Sequence, residues 1–198
     1  MKLIIVRHGQ TIANQRMLFE GFGHGKLTEL GREQAKKVGL RLKDQKIDVA
    51  YVSDLKRAQD TASEILKFHA DTPVIFTEEL RERHYGSMEG TVHKAYLEAF
   101  KKSGVKNFHD FTPEGGESSQ QSLERIKKFY YEILKENRGK TVLLVGHGTV
   151  LRFLLAHFFG KTIYESDEYR LDNTSVTMLE ITDDNTHKVY FLNSTEHL

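Results

Sequence analysis

The sequence contains no cysteine among its 198 residues, and this absence excludes several kinds of chemistry. Disulfide bonds, zinc sites built on thiolates and catalysis by a thiol are all ruled out. The chain also lacks an excess of either charge, because 29 Lys and Arg residues oppose 28 Asp and Glu residues and leave a net charge of +1. Such a balance gives no indication of a nucleic-acid partner.

Long apolar runs are also missing from this sequence. The apolar start, residues 1–6, is too short for a signal peptide, and no run approaches the length of a membrane span. We therefore expect no membrane partner and a cytoplasmic location. With 38% apolar and 29% charged residues, the composition is that of an ordinary globular protein, and the length suits a single α/β domain over residues 1–198 with an insertion.

Two apolar runs that each stop at a histidine are the most informative feature that is present. Residues 3–6 lead into Arg7-His8-Gly9, and residues 142–145 lead into Gly146-His147-Gly148. Short runs rich in Val and Ile that end at glycine are typical of buried parallel strands. In open α/β sheets, ligands bind beyond the carboxyl ends of such strands. We therefore expect both histidines at the reactive edge of one sheet.

The rest of the chain alternates between predicted strands and helices, which indicates parallel strands with right-handed crossovers. A helix begins after Thr28 with an apolar stripe, and a final pair of strands flanks residues 183–185, so the sheet is expected to be mixed. This pattern predicts a three-layer α/β/α sandwich, and residues 78–116, which interrupt it, predict a lid. The predicted strands are 47–52, 73–76, 141–145, 175–182 and 188–192, the predicted helices are 53–69, 117–137 and 149–159, and the stripe is Leu30, Ala35, Val38 and Leu42.

The neighbours of His8 indicate what kind of ligand it meets. A histidine at a strand end can be a nucleophile, a general base, a metal ligand or a packing residue. Arg7 offers a planar fork suited to phosphate or carboxylate, and Gly9 lets the backbone approach a ligand closely. A helix beginning near residues 10–14 would add backbone N–H groups that bind anions. Because a neighbouring arginine disfavours a metal ion, the pattern favours an anionic ligand.

Two further clusters lie near the same predicted edge. Arg57 falls one turn into the helix after the second strand, where it is either a second clamp on the anion or a solvated residue of the helix face. Glu82 lies in the dense charged segment 80–86, which is normally solvent-facing but also suits a proton donor at the mouth of a pocket. Glu89 repeats the Glu82 pattern and is an alternative to it.

These motifs together resemble the histidine phosphatase superfamily, which includes cofactor-dependent phosphoglycerate mutases and fructose-2,6-bisphosphatases. The resemblance covers nearly the whole chain and implies a phosphoglycerate mutase-like fold. It implies that His8 takes up the phosphoryl group and that Glu82 donates a proton, while Arg7, Arg57 and His147 bind phosphate oxygens. It implies neither a metal ion nor a cofactor. The motifs that carry it are residues 3–14, 27–31, 53–61, 80–90 and 146–148.

The same resemblance implies a phosphate ester as the small-molecule partner, with further contacts around it. Attack by a neutral imidazole requires one free ring nitrogen, so a carbonyl or a similar group must hold the other N–H of His8. Asn14 is expected to assist from the loop after His8. The other predicted substrate contacts are Gln10, Thr11, Gly21, Tyr85, Lys94, Gly148 and Thr149.

The segment after Glu82 decides which branch is expected. It is similar to the mutases, but no arginine pair follows it between Gly90 and Gly116, and Thr149 departs from the Asn of typical mutases. A mutase must protect a bisphosphorylated intermediate from water, so a weaker grip favours hydrolysis. We expect a metal-independent phosphomonoesterase that acts on sugar phosphates or phosphoglycerates. A cofactor-dependent phosphoglycerate mutase and a catalytically weak phosphate-binding scaffold are the alternatives. Lysines that could receive a second anionic group are Lys94, Lys101, Lys102 and Lys106.

Overall fold

The computed structural model describes residues 1–23, 25–182 and 187–198, and its centre is a six-stranded sheet. The strand order is β3-β2-β4-β1-β5-β6; the first four are parallel, and β5 and β6 are antiparallel to their neighbours. The predicted mixed, mostly parallel sheet is therefore confirmed, although residues 183–185 lie outside the described residues. The strands are β1 (Lys2–Arg7), β2 (Val49–Ser53), β3 (Val74–Thr77), β4 (Thr141–Gly146), β5 (Val176–Ile181) and β6 (His187–Ser194).

Strand β1 is central because both of its faces are covered. Leu3 and Ile5 pack into one apolar cluster with side chains of α5 and α6, whereas Ile4 and Val6 pack into a second with α2 and α3. Burial on both faces explains why β1 reads as a continuous apolar run. The result is the predicted three-layer sandwich. The helices are α1 (Ile12–Gln15), α2 (Glu29–Leu42), α3 (Lys56–Leu66), α4 (His93–Ser103), α5 (Ser119–Glu136) and α6 (Gly148–Phe158).

Helix α2 begins where its N-cap predicts, but one residue of its predicted stripe is wrong. Thr28 accepts a hydrogen bond from the Gly31 N–H, whereas Leu30 is 55% exposed. Gly31 occupies the buried position instead, four residues before Ala35 and thus on the same helix face. A Cβ on Gly31 would lie 2.1 Å from the carbonyl oxygen of Gln10. Only glycine lets the loop after β1 pack this tightly against α2.

The lid segment, residues 78–116, contains α4, short 3₁₀ turns and a small aromatic core. Tyr85, Tyr96 and Phe111 are buried together in it. Arg83 is only 2% exposed, so the expectation that this charged segment faces solvent is wrong for Arg83. Its guanidinium donates to the carbonyls of Phe111 and Glu117 and to the Ser119 hydroxyl, and thereby ties the lid segment to the start of α5. Across the described ranges, no helix is both long enough and apolar enough to cross a membrane.

Candidate active site

The two strand-end histidines lie side by side at the carboxyl edge of the sheet. Residues Arg7 and Gly146 are paired in the parallel register of β1 and β4, so the next residue of each strand, His8 and His147, leaves the sheet at the same level. The two imidazole ring centroids are 5.0 Å apart. Both rings are buried, with 2% and 0% exposure, as expected for groups that follow fully covered strands.

His8 is held as a neutral imidazole with one free nitrogen. Its Nδ1 lies 2.7 Å from the carbonyl oxygen of Gly9, which can only accept, so Nδ1 carries the proton. Burial, reinforced by the charges of Arg57 and Arg7, holds the pKa of His8 well below its usual value. Nε2 has no hydrogen-bond partner in the described part of the chain, and His8 lines a cavity. A nucleophile needs this arrangement.

His147 has a different environment, because both of its ring nitrogens are engaged. Nδ1 accepts a hydrogen bond of 3.1 Å from Nε of Arg57, so Nε2 carries the proton and donates to the Ser53 hydroxyl at 2.8 Å. Burial, followed by the charge of Arg57, holds the pKa of His147 well below its usual value. His147 is therefore a neutral ring in this structure, and it orients Arg57 by accepting its hydrogen bond. Direct contact between His147 and phosphate stays a prediction.

Arg57 and Arg7 place two cations beside His8. Arg57, only 1% exposed, lies in the first turn of α3, where its Nη atoms donate to the carbonyls of Gly21 (2.7 Å) and Gly23 (2.9 Å). Arg7 donates to the carbonyl of Leu171 at 2.6 Å and crosses the start of α6. A Cβ on Gly148 would lie 3.3 Å from Nε of Arg7, so glycine at this position makes room for the guanidinium. Both arginines line the cavity.

Glu82 reaches the same cavity from the lid segment and caps helix α6. Its carboxylate accepts hydrogen bonds from the backbone N–H groups of Thr149 at 3.1 Å, Val150 at 3.3 Å and Arg83 at 2.8 Å. The N-terminus of a helix stabilises negative charge, so these hydrogen bonds favour the carboxylate form of Glu82.

The cavity of about 510 Å³ is lined by eight of the thirteen predicted site residues, and His147 and four predicted substrate contacts lie outside its described wall. Arg7, His8, Arg57 and Glu82 form what we call the cavity floor. The other predicted contacts that line the cavity are Asn14, Tyr85, Gly148 and Thr149.

The four predicted contacts outside the described cavity wall have other partners. Gln10 accepts from the Thr28 hydroxyl, Thr11 caps α1, and the carbonyl of Gly21 holds Arg57. Lys94 is exposed on α4. Gln10, Thr11 and Gly21 therefore support the loops around the site, and Lys94 is exposed, so their direct contact with the substrate stays a prediction.

Several cavity residues were missed by the sequence analysis. Glu20 lies next to Arg57, and Asn173 donates to the carbonyl of His8 at 2.9 Å and to the Asn14 side chain at 3.1 Å. Asn173 reaches the site because β5 pairs antiparallel with β1, which brings the start of β5 to the carboxyl edge of the parallel strands, and the sequence analysis did not predict this pairing. No signal in the sequence indicated Glu20. On the outer wall, Arg152, Asp167 and Arg170 form a group of charges.

Carboxylate and imidazole groups do not cluster here as metal sites do. In residues 1–23, 25–182 and 187–198, no three His, Asp or Glu side chains form a group that could hold a metal ion. Glu20 contacts Arg57 instead, and Glu82 accepts hydrogen bonds from backbone N–H groups. The fold and the site together define a phosphoglycerate mutase-like α/β protein with a histidine and arginine centre for an anionic ligand.

Comparison with known proteins assigns the family. The chain matches the histidine phosphatase superfamily (branch 1) over residues 3–194, and it belongs to this superfamily. The structure aligns with the α-ribazole phosphatase of Shigella flexneri with a TM-score of 0.89 at 29% identity, covering 98% of this chain and 96% of that one. The resemblance seen in the sequence motifs is thereby confirmed.

Relatives of both reaction types are found at similar identity. The chain is 31% identical over 206 residues to a probable phosphatase of Schizosaccharomyces pombe, covering 100% of this chain and 95% of the relative. It is 38% identical over 172 residues to a 2,3-bisphosphoglycerate-dependent phosphoglycerate mutase of Mesorhizobium japonicum, covering 81% and 82%. Identity therefore assigns the superfamily, whose members bind phosphate esters, and leaves the reaction to be argued from the site.

Proposed function

We propose that this protein is a metal-independent phosphomonoesterase that hydrolyses small phosphorylated metabolites through a phosphohistidine at His8. The observation that carries the proposal is the state of the imidazole. Its Nδ1–H is held by the Gly9 carbonyl, while Nε2 lies in a cavity beside Arg7 and Arg57. A pre-oriented neutral nucleophile next to two guanidinium groups suits phosphoryl transfer, which depends mainly on positioning and on stabilisation of negative charge.

The proposed reaction has two steps at this centre. In the first, Nε2 of His8 forms a bond to phosphorus, the bond from phosphorus to the ester oxygen breaks, and protonated Glu82 gives its proton to the leaving oxygen. In the second, the Glu82 carboxylate takes a proton from water, the water oxygen attacks phosphorus, and the bond from phosphorus to Nε2 breaks. The backbone N–H groups of α6 favour the carboxylate form that the second step needs.

The walls of the cavity favour hydrolysis over mutase chemistry. A mutase has to grip both ends of a bisphosphorylated intermediate. The lid segment instead turns aromatic side chains toward the ligand: Tyr85, Tyr96 and Phe108 line the cavity together with Phe19. The four lid lysines, Lys94, Lys101, Lys102 and Lys106, are exposed and lie outside the described cavity wall.

One observation keeps mutase activity as a second candidate. Arg152 of α6 and Arg170 both pair with Asp167, and all three line the outer part of the cavity. Two guanidinium groups at this position would receive a carboxylate or second phosphate of the substrate, a role that we had expected of the lysines. For a hydrolase, the same pair would select phosphate esters that carry a second acidic group.

Replacing His8 tests the nucleophile assignment. With a chromogenic phosphate ester and no added metal, His8→Ala should lower the rate of phosphate release on the order of 10³-fold or more. His69→Ala is the matched control, because His69 lies beyond the far end of α3 and bonds only the Leu42 carbonyl. Full turnover by His8→Ala would contradict the proposal.

A second assay distinguishes the two reactions. The wild-type protein is given 3-phosphoglycerate with and without 2,3-bisphosphoglycerate, and both inorganic phosphate and 2-phosphoglycerate are measured. The proposed phosphatase releases phosphate without forming the isomer. Formation of the isomer that depends on the bisphosphate would favour the mutase instead.

A further inference from the structure

A second carboxylate, Glu20, lies in the cavity among the groups proposed to receive the phosphoryl dianion. The Glu20 side chain is only 9% exposed, and its Oε2 is 3.3 Å from Nε of Arg57 and accepts a 3.0 Å hydrogen bond from the Thr11 hydroxyl. Its other oxygen, Oε1, is buried and has no hydrogen-bond partner within the described residues. An acid in a site for an anion requires an explanation, because like charges repel.

The charged groups around Glu20 balance each other before any ligand arrives. Arg57 on α3 and Arg7 on β1 are the facing cations, and their guanidinium groups stay protonated in proteins. Glu82, from the lid segment, is the facing anion. His8 and His147 contribute no charge, since burial holds both pKa values well below their usual range. Two cations and two carboxylates leave no net positive charge for a dianionic phosphate ester.

In the proposed reaction Glu82 carries a proton while the phosphate ester is bound, so the two cations then face the Glu20 carboxylate and the phosphoryl dianion. A buried site neutralises a group rather than keep an uncompensated charge, so Glu20 must take a proton as well. Oε1 of Glu20 has no hydrogen-bond donor within the described residues that would hold the side chain ionised, and burial raises the pKa of Glu20.

We propose that Glu20 takes up a proton when a dianionic phosphate monoester binds, and that this proton removes the repulsion between the Glu20 carboxylate and the phosphoryl oxygens. The proton comes from solvent and returns to it when inorganic phosphate leaves, so no other reactant is required. Glu20 is then a binding residue that couples phosphate affinity to pH. This inference rests on the proposed function in taking the cavity as the phosphate site and Glu82 as the proton donor.

The experiment measures proton uptake directly. Inorganic phosphate is titrated into the protein by calorimetry at about pH 8, where phosphate is mostly the dianion, in two buffers with different ionisation enthalpies. Glu20→Gln keeps the shape of the side chain but cannot ionise, and it should take up about one proton fewer than the wild type. Glu168→Gln is the matched control, because it removes one carboxylate from an exposed position outside the cavity wall and should take up as many protons as the wild type.

The pH dependence of inhibition by inorganic phosphate gives a second measurement. At pH values above the pKa of Glu20, the affinity of the wild type for inorganic phosphate should fall about tenfold more per pH unit than the affinity of Glu20→Gln. Equal proton uptake and parallel pH profiles in the two proteins would overturn the proposal. Loss of the extra proton in Glu82→Gln, with none lost in Glu20→Gln, would overturn it as well.

Two controls keep the result interpretable. If Glu20→Gln does not fold, the side-chain carboxyl carbon of Glu20 is followed by ¹³C NMR in the wild type, where phosphate should shift it toward the protonated form. An unchanged signal under saturating phosphate would count against the proposal. Proton uptake without any turnover would refute the phosphatase and leave the Glu20 inference standing, whereas turnover without uptake would do the reverse.

Discussion

The cavity floor and the lid segment each bury one arginine, and the two arginines differ in whether they face the cavity. Arg57, 1% exposed, lines the cavity; it donates to the carbonyls of Gly21 and Gly23 and to His147, and it has Glu20 as a counter-ion. Arg83, 2% exposed, lies away from the described cavity wall; it bonds two carbonyls and one hydroxyl, and its guanidinium lies 5.4 Å from the ring centroid of Tyr85.

This difference indicates how the same residue type can contact a ligand in one place and fix the architecture in another. A buried cation that faces a cavity can exchange part of its contacts for a ligand. One that lies away from the cavity keeps its protein acceptors and fixes the segments that supply them. Burial alone therefore does not indicate that an arginine binds a ligand. A buried guanidinium that also faces a cavity is the better indication.

The largest predicted effect is the loss of activity when Arg57 is replaced. Arg57→Met removes one of the two guanidinium groups that would neutralise the transferring phosphoryl group. We expect kcat/KM for a chromogenic phosphate ester to fall on the order of 10³-fold, equivalent to about 4 kcal/mol. Circular dichroism at the assay temperature verifies that the variant is folded. Activity within tenfold of the wild type would break the contrast between the two arginines.

The matched substitution in the lid segment should affect stability instead. Arg83→Met leaves the Phe111 and Glu117 carbonyls and the Ser119 hydroxyl without their donor. We expect the free energy of unfolding, measured with urea, to fall by about 3 kcal/mol, while kcat of the folded fraction stays within a few-fold. An Arg83→Met protein that is stable but inactive would show that Arg83 serves the chemistry after all.

The third prediction concerns stability at acidic pH. The pKa values of His8 and His147 are held well below 6.5, so the unfolded chain binds more protons than the folded protein as the pH drops below about 6.5. The free energy of unfolding should therefore fall by up to about 1.4 kcal/mol per pH unit for each of these histidines, from about pH 6.5 down through their lowered pKa values.

The substitution His147→Asn should reduce this slope between about pH 6.5 and 5.5, as urea unfolding would show. His109→Asn is the comparison from the lid segment, where burial lowers the pKa of His109 less strongly, and its effect should be smaller. A larger effect for His109→Asn would mean that the histidine of the lid segment, and not the strand-end histidine His147, accounts for more of the loss of stability at acidic pH.

The smallest predicted effect concerns the bond that joins the two regions. The Tyr85 hydroxyl lies 2.9 Å from the Thr149 hydroxyl at the start of α6. Tyr85→Phe should cost about 1 kcal/mol of stability and raise KM a few-fold with little change in kcat. Tyr96→Phe, whose hydroxyl contacts the Phe111 carbonyl at 3.4 Å and Arg83 within the lid segment, should leave KM unchanged. Equal KM values for both variants would show that this bond does not position the lid segment.

Most of the fold was predictable because β1 and β4 are covered on both faces and therefore read as unbroken apolar runs. The candidate site followed from the same strands, since parallel strands end at one edge, while the position of Arg57 after the second strand and the charged segment around Glu82 suggested these two residues. Gly31 was missed in favour of Leu30 because apolarity is a poor guide where a backbone-to-backbone contact, and not a side chain, fills the space.

The remaining site residues depend on contacts that leave no local pattern. The sequence singled out Arg57 by its position after a strand, but no local pattern showed that Arg83 is buried, since its acceptors at Phe111, Glu117 and Ser119 lie far along the chain. The lysines of α4 were expected near the ligand because their charge was visible, but the orientation of α4 is set by the aromatic core around Tyr96. Glu20 lies in an irregular loop without periodicity, so its position beside Arg57 emerged only in three dimensions.

The pairing of β1 also affects how the protein is made. The strand that presents His8 is flanked by β4, which ends at Gly146, and by β5, which starts at Val176. Closing contacts over such long stretches of chain is slow, and it must wait until those residues have left the ribosome. The imidazole proposed as the nucleophile is therefore synthesised before the strands that position it, and the proposed site can form only after Val176 has left the ribosome.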